Sequence, residues 1–348
     1  MTRAIMRTVA GALALATVLT GVTACGGSSA KATSNGPVTL RLGYFPNITH
    51  ATAIVGDAKG LYKEKLGSNV TLETKQFNAG PAAVEALFSG AIDAAYVGPN
   101  PTVNAWQKSK GKAIKVVAGA ASGGVFFVTK PTITSPEQLK GKKIATPQLG
   151  NTQDVALRYW LKQHGLTATK EGGGDVSVLP QDNATAVTAF QTGAIDGAWI
   201  PEPYASKLVA AGGRILVDER DLWPGGKFVI TNLIVSTKFL TEHRDVVKNL
   251  IAGQVAANQF INDHPEDAQK LVADQIGKLS GKPLDLKQVA TAWKSTTFLN
   301  DPVASSLRDG AKHAEEVGLL EPVDLTGLYD LSLLNEVLKA QGQPEVRS

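Results

Sequence analysis

The sequence predicts an α/β fold built as two similar lobes with a helical tail. Three observations carry this. From residue 38 to about residue 235 short apolar runs alternate with helical patterns, as sheets flanked by helices require. One helix–strand unit occurs twice: residues 78–101 read NAGPAAVEALFSGAIDAAYVGPNP and residues 183–204 read NATAVTAFQTGAIDGAWIPEPY. Beyond residue 236 the pattern becomes helical.

The N-terminal segment reads as an address. Arg3 and Arg7 precede an uninterrupted run of apolar, Gly and Thr residues from Val9 to Val22. This run is shorter than the ~20 apolar residues of a membrane span and suits a signal-peptide core. It ends in Val22-Thr23-Ala24-Cys25, which resembles the bacterial lipobox. Residues 1–24 are therefore expected to be a signal peptide, with Cys25 lipidated as the first mature residue. Residues 25–37 are Gly/Ser/Thr-rich without apolar periodicity, as a flexible tether should be. An extracytoplasmic protein, lipid-anchored to the outer face of the cell membrane, is the expectation.

Val38-Thr39-Leu40-Arg41-Leu42-Gly43-Tyr44 alternates with period two and predicts the first strand. Ala113–Ala118, Gly124–Val128, Lys143–Ala145, Val176–Leu179, Ile215–Val217 and Phe228–Val235 predict further strands. In the repeated unit, Asn78 and Asn183 (or Asp182) are placed to cap a helix, and Pro81 suits its first turn. Gly90 and Gly193 are placed to end it in the left-handed conformation. The Asp of each GAID reads as a turn residue. The tail predicts helices over Thr241–Asn262, Pro265–Leu279, Leu286–Trp293 and Val303–Val317, with His243 and His313 as exposed helix residues.

Charge and chemistry-bearing residues exclude several classes. There are 35 Lys+Arg against 31 Asp+Glu, and the one basic cluster, Lys140, Lys142 and Lys143, reads as a solvated turn. A nucleic-acid binder concentrates its cations on one face, so no nucleic-acid partner is expected. A single cysteine rules out a disulfide framework and a Cys-based zinc site. The five histidines show no pair at metal-ligand spacing, so neither a metal nor a cofactor is implied.

Three segments carry a resemblance over nearly the whole mature chain: FNAGPAAVEALFSGAIDAAYVGPNP (77–101), LKGKKIATPQLGNTQDVALRYWLKQHGL (139–166) and AFQTGAIDGAWIPEPY (189–204). The chain resembles the solute-binding proteins of ABC importers in the nitrate/sulfonate/taurine group, specifically the aliphatic-sulfonate-binding branch. The resemblance implies a type II periplasmic-binding-protein-like fold: two mixed or parallel sheets flanked by helices and joined by two crossover hinge strands. Here the crossovers would be Gly124–Lys130 and Lys227–Ser236, with lobe one comprising 38–122 plus 230–348 and lobe two 123–229. It also implies a monomer that closes on a small anion or zwitterion and is read by a membrane permease with its cytoplasmic ATPase.

Loops outside the carboxyl ends of strands are where open α/β sheets bind ligands. The candidates are Phe45, Asn47 and His50 after the first strand, Gly80 before the first repeated helix, and Pro99 and Asn100 after its strand. Ser122 and Gly123 stand at the crossover, Gln148, Gly150, Asn151 and Thr152 lead into a helix, and Trp199 and Glu202 close the second unit. Only His50 among these could be positive, so an anion must be held by backbone amides and neutral donors at helix N-termini. Asn151 and Thr152 also read as simple caps. Tyr96 is assigned to the core and Trp199 to a wall for an organic tail. Glu202 either faces an amine, favouring a taurine-like zwitterion, or is a solvated or lobe-contacting carboxylate. The FPNITHA loop (45–51) departs from the pattern of the better-known sulfonate-binding members. A same-fold enzyme of cofactor-precursor metabolism, as the wider superfamily implies, is the alternative, with Ser122, His50 and Glu202 as an imaginable triad but no nucleophile-elbow motif around Ser122. A sensing module for another membrane protein is a third reading.

Overall fold

The computed structural model describes residues 36–348; the expected signal peptide, Cys25 and nearly all of the tether lie outside the described residues. In chain order the strands are β1 (Val38–Tyr44), β2 (Val70–Gln76), β3 (Ala94–Val97), β4 (Ile114–Gly123), β5 (Val125–Thr129), β6 (Lys143–Thr146), β7 (Ser177–Pro180), β8 (Gly197–Pro201), β9 (Arg214–Asp218), β10 (Val229–Ser236) and β11 (Thr296–Phe298). The helices are α1 (Ala51–Ala58), α2 (Leu61–Leu66), α3 (Gly80–Phe88), α4 (Pro99–Lys108), α5 (Thr152–Gln163), α6 (Asn183–Gln191), α7 (Tyr204–Ala210), α8 (Thr237–Glu242), α9 (Arg244–Asp263), α10 (Pro265–Ser280), α11 (Leu286–Trp293), α12 (Ala304–Glu316) and α13 (Ser332–Ala340).

Two sheets result. The first has the order β11-β4-β10-β3-β1-β2 and the second β7-β6-β8-β5-β9. Read from opposite ends they share one plan. β1 pairs in parallel with β2 and β3, as β6 does with β7 and β8. An antiparallel strand then follows, β10 beside β3 and β5 beside β8. β3 and β8 are buried at every position, which is why they read as unbroken apolar runs rather than alternating ones.

The duplicated unit folds as its residues dictate. Gly90 and Gly193 follow α3 and α6 at φ 72° and 77°, the left-handed conformation an L-residue resists. The GAID aspartates do more than turn the chain. Asp93 Oδ2 accepts the Arg41 backbone N–H at 2.9 Å and grips its guanidinium, and Asp196 Oδ2 accepts the Lys143 backbone N–H at 2.9 Å while Oδ1 takes Lys130 Nζ. Each ties the strand after the repeated helix to its parallel neighbour. The expected caps are not made: the helices start from Ala79 and Asp182, neither of which forms a side-chain cap bond.

The expected crossover spans are themselves strands, β5 and β10, each paired within one sheet. The chain passes from the first sheet to the second at Gly123 and Gly124, whose φ values are 79° and 71°. It returns through residues 219–228. A Cβ at 123 would meet Ser295 O at 2.3 Å, and one at 124 would meet Thr296 Oγ1 at 2.4 Å, so the passage is closed to side chains. The tail packs on the first sheet through α9 against α1 and α2, while α12 reaches α5 and α11 reaches α7. His313 is not exposed: it is half-buried, stacked on Tyr159 of α5 at 3.7 Å with Trp223 at 5.4 Å. The expected helix 241–262 breaks at His243, and α13 and the edge strand β2 join the predicted elements.

Candidate functional site

Every parallel strand delivers its carboxyl end to one place. β1 leads into the loop 45–50, β2 into Asn78 and Ala79 before α3, and β3 into Gly98 before α4. In the second sheet β6 leads to Pro147 and Asn151–Gln153 at the start of α5, β7 to Asn183 of α6, and β8 ends on Pro201. These residues, with Ile230 of β10, enclose a cavity of ≈ 20 Å³ between the sheets. That volume admits about one water-sized group.

No Lys, Arg, Asp or Glu side chain lines the cavity. His50 does, but it is 3% exposed and its Nδ1 accepts the Phe45 N–H at 3.3 Å while the ring stacks on Phe45 at 4.2 Å. Burial pushes its pKa down to about 3, so it is neutral at ordinary pH, with the proton on Nε2. Two further groups are buried without partners, Thr152 Oγ1 and Asn183 Oδ1. In α5 the amides of Asp154 and Val155 bond to Asn151 O. Those of Thr152 and Gln153 therefore lie outside the helical ladder, where a helix start carries about half a positive charge.

The α5 start is held by a buried hub. Asp154, fully buried, accepts from Thr146 Oγ1 at 2.9 Å, Gly150 N at 2.9 Å and Arg158 Nε at 3.1 Å. Gly150, at φ 74°, makes the turn that aims its own N–H at this carboxylate. Across the cavity, Asn151 Oδ1 accepts the Gly80 N–H of α3 at 3.3 Å, and Ile48 N donates to Glu202 O at 3.1 Å. A Cβ on Gly98 would lie 2.4 Å from Thr152 Oγ1. The two sheets thus touch through amides and a hydroxyl.

Phe45, Asn47, His50, Asn151 and Thr152 line the cavity as the sequence expects, and Gly80 borders it through its N–H. Gln148 lies in an adjoining outer groove, and Gly150 shapes the loop. The other expected residues are not brought there. Pro99 occupies the first turn of α4, Asn100 Nδ2 donates to Gly310 O at 2.9 Å, and Ser122 Oγ accepts the Phe228 N–H at 3.3 Å beside Gly123 at the crossing. Trp199 is core, not wall: it is fully buried, stacked on Phe127 at 5.3 Å, with Nε1 donating to Glu219 Oε2 at 2.7 Å. Tyr96 is core, with its hydroxyl 2.7 Å from that of Tyr62. The Glu202 carboxylate faces neither ligand space nor solvent. It accepts from Ser206 N and Oγ at 3.0 and 2.9 Å, and burial pushes its pKa up to about 6. Ser122, His50 and Glu202 are each bonded elsewhere rather than to one another. Thr49 and Gln153 also line it and fall within the loops expected over 44–50 and 148–153, whereas Asn183 and Ile230 are lining residues outside the expected loops. The Asn shared by both repeated units, at 78 and 183, was the available signal for one of them.

A family model described as the NMT1-like family matches residues 33–277. A Brucella abortus (strain 2308) protein named as a binding protein is 32% identical over 219 residues, 62% of this chain. The match spans 64% of the length of that relative. The taurine-binding periplasmic protein of Escherichia coli (strain K12) is 26% identical over 265 residues, 74% of this chain and 81% of that protein. Among solved structures, the periplasmic nitrate-binding protein NrtA from Synechocystis PCC 6803 superimposes with a TM-score of 0.75 at 15% identity, covering 89% of this chain and 91% of that one. The likeness is one of fold, the two-lobed periplasmic-binding-protein architecture. With the family model covering most of its length, the chain belongs to the NMT1-like family.

Proposed function

We propose that this protein is the extracytoplasmic solute-binding component of an ABC importer, which captures a small organic anion or zwitterion of the aliphatic sulfonate or taurine type between its lobes. The observation that carries the reading is the uncharged cavity where helix starts from both sheets meet around buried, unpartnered polar groups. A micromolar ligand needs about 8 kcal/mol, and each helix start contributes ~0.3–2 kcal/mol. Hydrogen bonds to a charged ligand add about 1.5–3 kcal/mol each. Thr152 Oγ1, His50 Nε2 and the free amides of Thr152 and Gln153 bring the total into range. Names of relatives agree: binding proteins, one of them for taurine.

In this reading lobe one is 38–122 plus 230–348, lobe two is 123–229, and the two hinge about Gly123-Gly124 and residues 219–228. Where Asn151 meets Gly80 and Ile48 meets Glu202 the cavity holds only about one water-sized group, so ligand enters with the lobes parted and stabilises their closure around itself. The closed form is what the permease reads, and Cys25 carries the lipid that holds the receptor at the membrane. The test is a thermal-shift and calorimetric panel of ethanesulfonate, taurine, nitrate and sulfate, with mass spectrometry of the recovered ligand. At 100 times Kd a ligand stabilises by about 2.7 kcal/mol, so at least one should raise Tm and return unaltered. No shift across the panel, or a chemically altered ligand, overturns the proposal. For the anchor, labelled fatty acid should enter the expressed chain and be lost in Cys25→Ala.

A further inference from the structure

Beside the cavity lies a second compartment, of ≈ 100 Å³, lined by residues that include Asn47, Asn78, Asp182, Asn183 and Tyr204. Asn47, Asn78 and Asn183 line both spaces, so the two adjoin across a wall of amide side chains. Their chemistry is opposite. The inner space has no charged side chain and is ringed by donors. The outer one has the Asp182 carboxylate, which precedes α6 without bonding to its amides, although a carboxylate at that position ordinarily would. Tyr204, 8% exposed, shares the outer wall, and its pKa is raised by burial and then by the Asp182 charge. On the shared wall Asn183, 6% exposed, holds a buried Oδ1 that accepts no hydrogen bond. An unpartnered acceptor repels an anion and costs about 1–3 kcal/mol unless a donor reaches it. A ligand with an acid at one end and a protonated amine at the other satisfies both spaces at once.

We infer that the physiological ligand is a short zwitterion whose acid group, entering as the sheets part, takes the donors that line the inner cavity and whose ammonium group is taken by Asp182 and Asn183 Oδ1 in the outer compartment. This rests on the reading of the inner cavity as the anion site. It moves the amine-recognising role from Glu202, whose carboxylate is committed to Ser206, to Asp182.

The test compares matched ligands with and without the amine, taurine against ethanesulfonate and β-alanine against propionate, by calorimetry on the wild type and Asp182→Asn. A charged hydrogen bond predicts that the better zwitterion binds about tenfold tighter than its amine-free partner. In Asp182→Asn that ratio should collapse to about twofold or less, with the affinity for the amine-free partner retained. Equal binding of the pair by the wild type, or a ratio that survives Asp182→Asn, overturns this inference while leaving the anion site intact. Binding of neither pair, nor of nitrate or sulfate, overturns the underlying reading and this inference with it.

Discussion

Gly98→Ala tests how the two lobes meet. The backbone at Gly98 has φ −70° and ψ 162°, which alanine adopts without strain. The new methyl would nevertheless lie 2.4 Å from Thr152 Oγ1, about 1 Å short of the 3.4 Å at which ordinary contact begins. Its other near neighbours, Ile230 O and Thr152 Cβ, are at a comfortable 3.5 Å. One hydroxyl therefore carries the whole conflict, and it belongs to the helix that follows β6 of the opposite sheet. Either Thr152 rotates and withdraws from the cavity, or the start of α5 is pushed back. Overpacking of this kind costs about 1–3 kcal/mol, and on the proposed anion site withdrawal of the hydroxyl should weaken binding by about tenfold or more. At roughly 2 °C per kcal/mol for a chain of this size, Tm should fall by about 2–6 °C. The decisive arm is the double variant. In a Thr152→Ala background the clashing atom is gone, so adding Gly98→Ala should cost less than about 0.5 kcal/mol, a coupling visible in the cycle. Equal cost in both backgrounds, or an unaffected single variant, would refute the contact.

Three further outcomes follow from the buried charges. Asp154→Asn leaves Arg158, 2% exposed in its side chain, without a counter-charge, and should cost about 3–5 kcal/mol in denaturant unfolding; Asp154→Asn with Arg158→Met should recover most of it. His50, with its pKa lowered to about 3 by burial, contributes stability that is present above the unfolded value near 6.5 and lost as pH falls toward 3. Urea titrations should thus show about 2 kcal/mol lost from this residue between pH 7 and 5, and His50→Gln should remove that slope. Glu219 behaves in the opposite sense: burial raises its pKa to about 7, so its contribution is present below about 4.5 and lost as pH rises through 7. Glu219→Gln should gain about 2–4 kcal/mol on the wild type between pH 4 and 8, measured by the same titration.

What was legible in the sequence follows from where each signal is stored. The GAID units stood out because Gly90 and Gly193 are demanded by local backbone conformation, and local conformation is written in local sequence. The loops around 45–50 and 147–153 were legible for a similar reason, since strand ends and helix starts are marked by Pro, Gly and Asn. Trp199 failed because β8 is buried on both faces, which removes the alternation that separates wall from core. Glu202 failed differently: its partner Ser206 stands four residues on, in the first turn of α7, so a local partner was available and a long-range role was read instead. The crossing point, the burial of His313 between Tyr159 and Trp223, and the edge strand β2 depend on which elements meet, which no periodicity records. The uncharged cavity is the deepest case. Its strongest donors are backbone amides, which every sequence carries, so no residue type announces them. What specifies the site is the placement of helix starts by the two sheets, fixed on one side by Asp154 through Gly150 and on the other by Gly80 through Asn151. A change that alters no donor but moves one of these anchors should therefore damage binding as much as removal of a donor side chain.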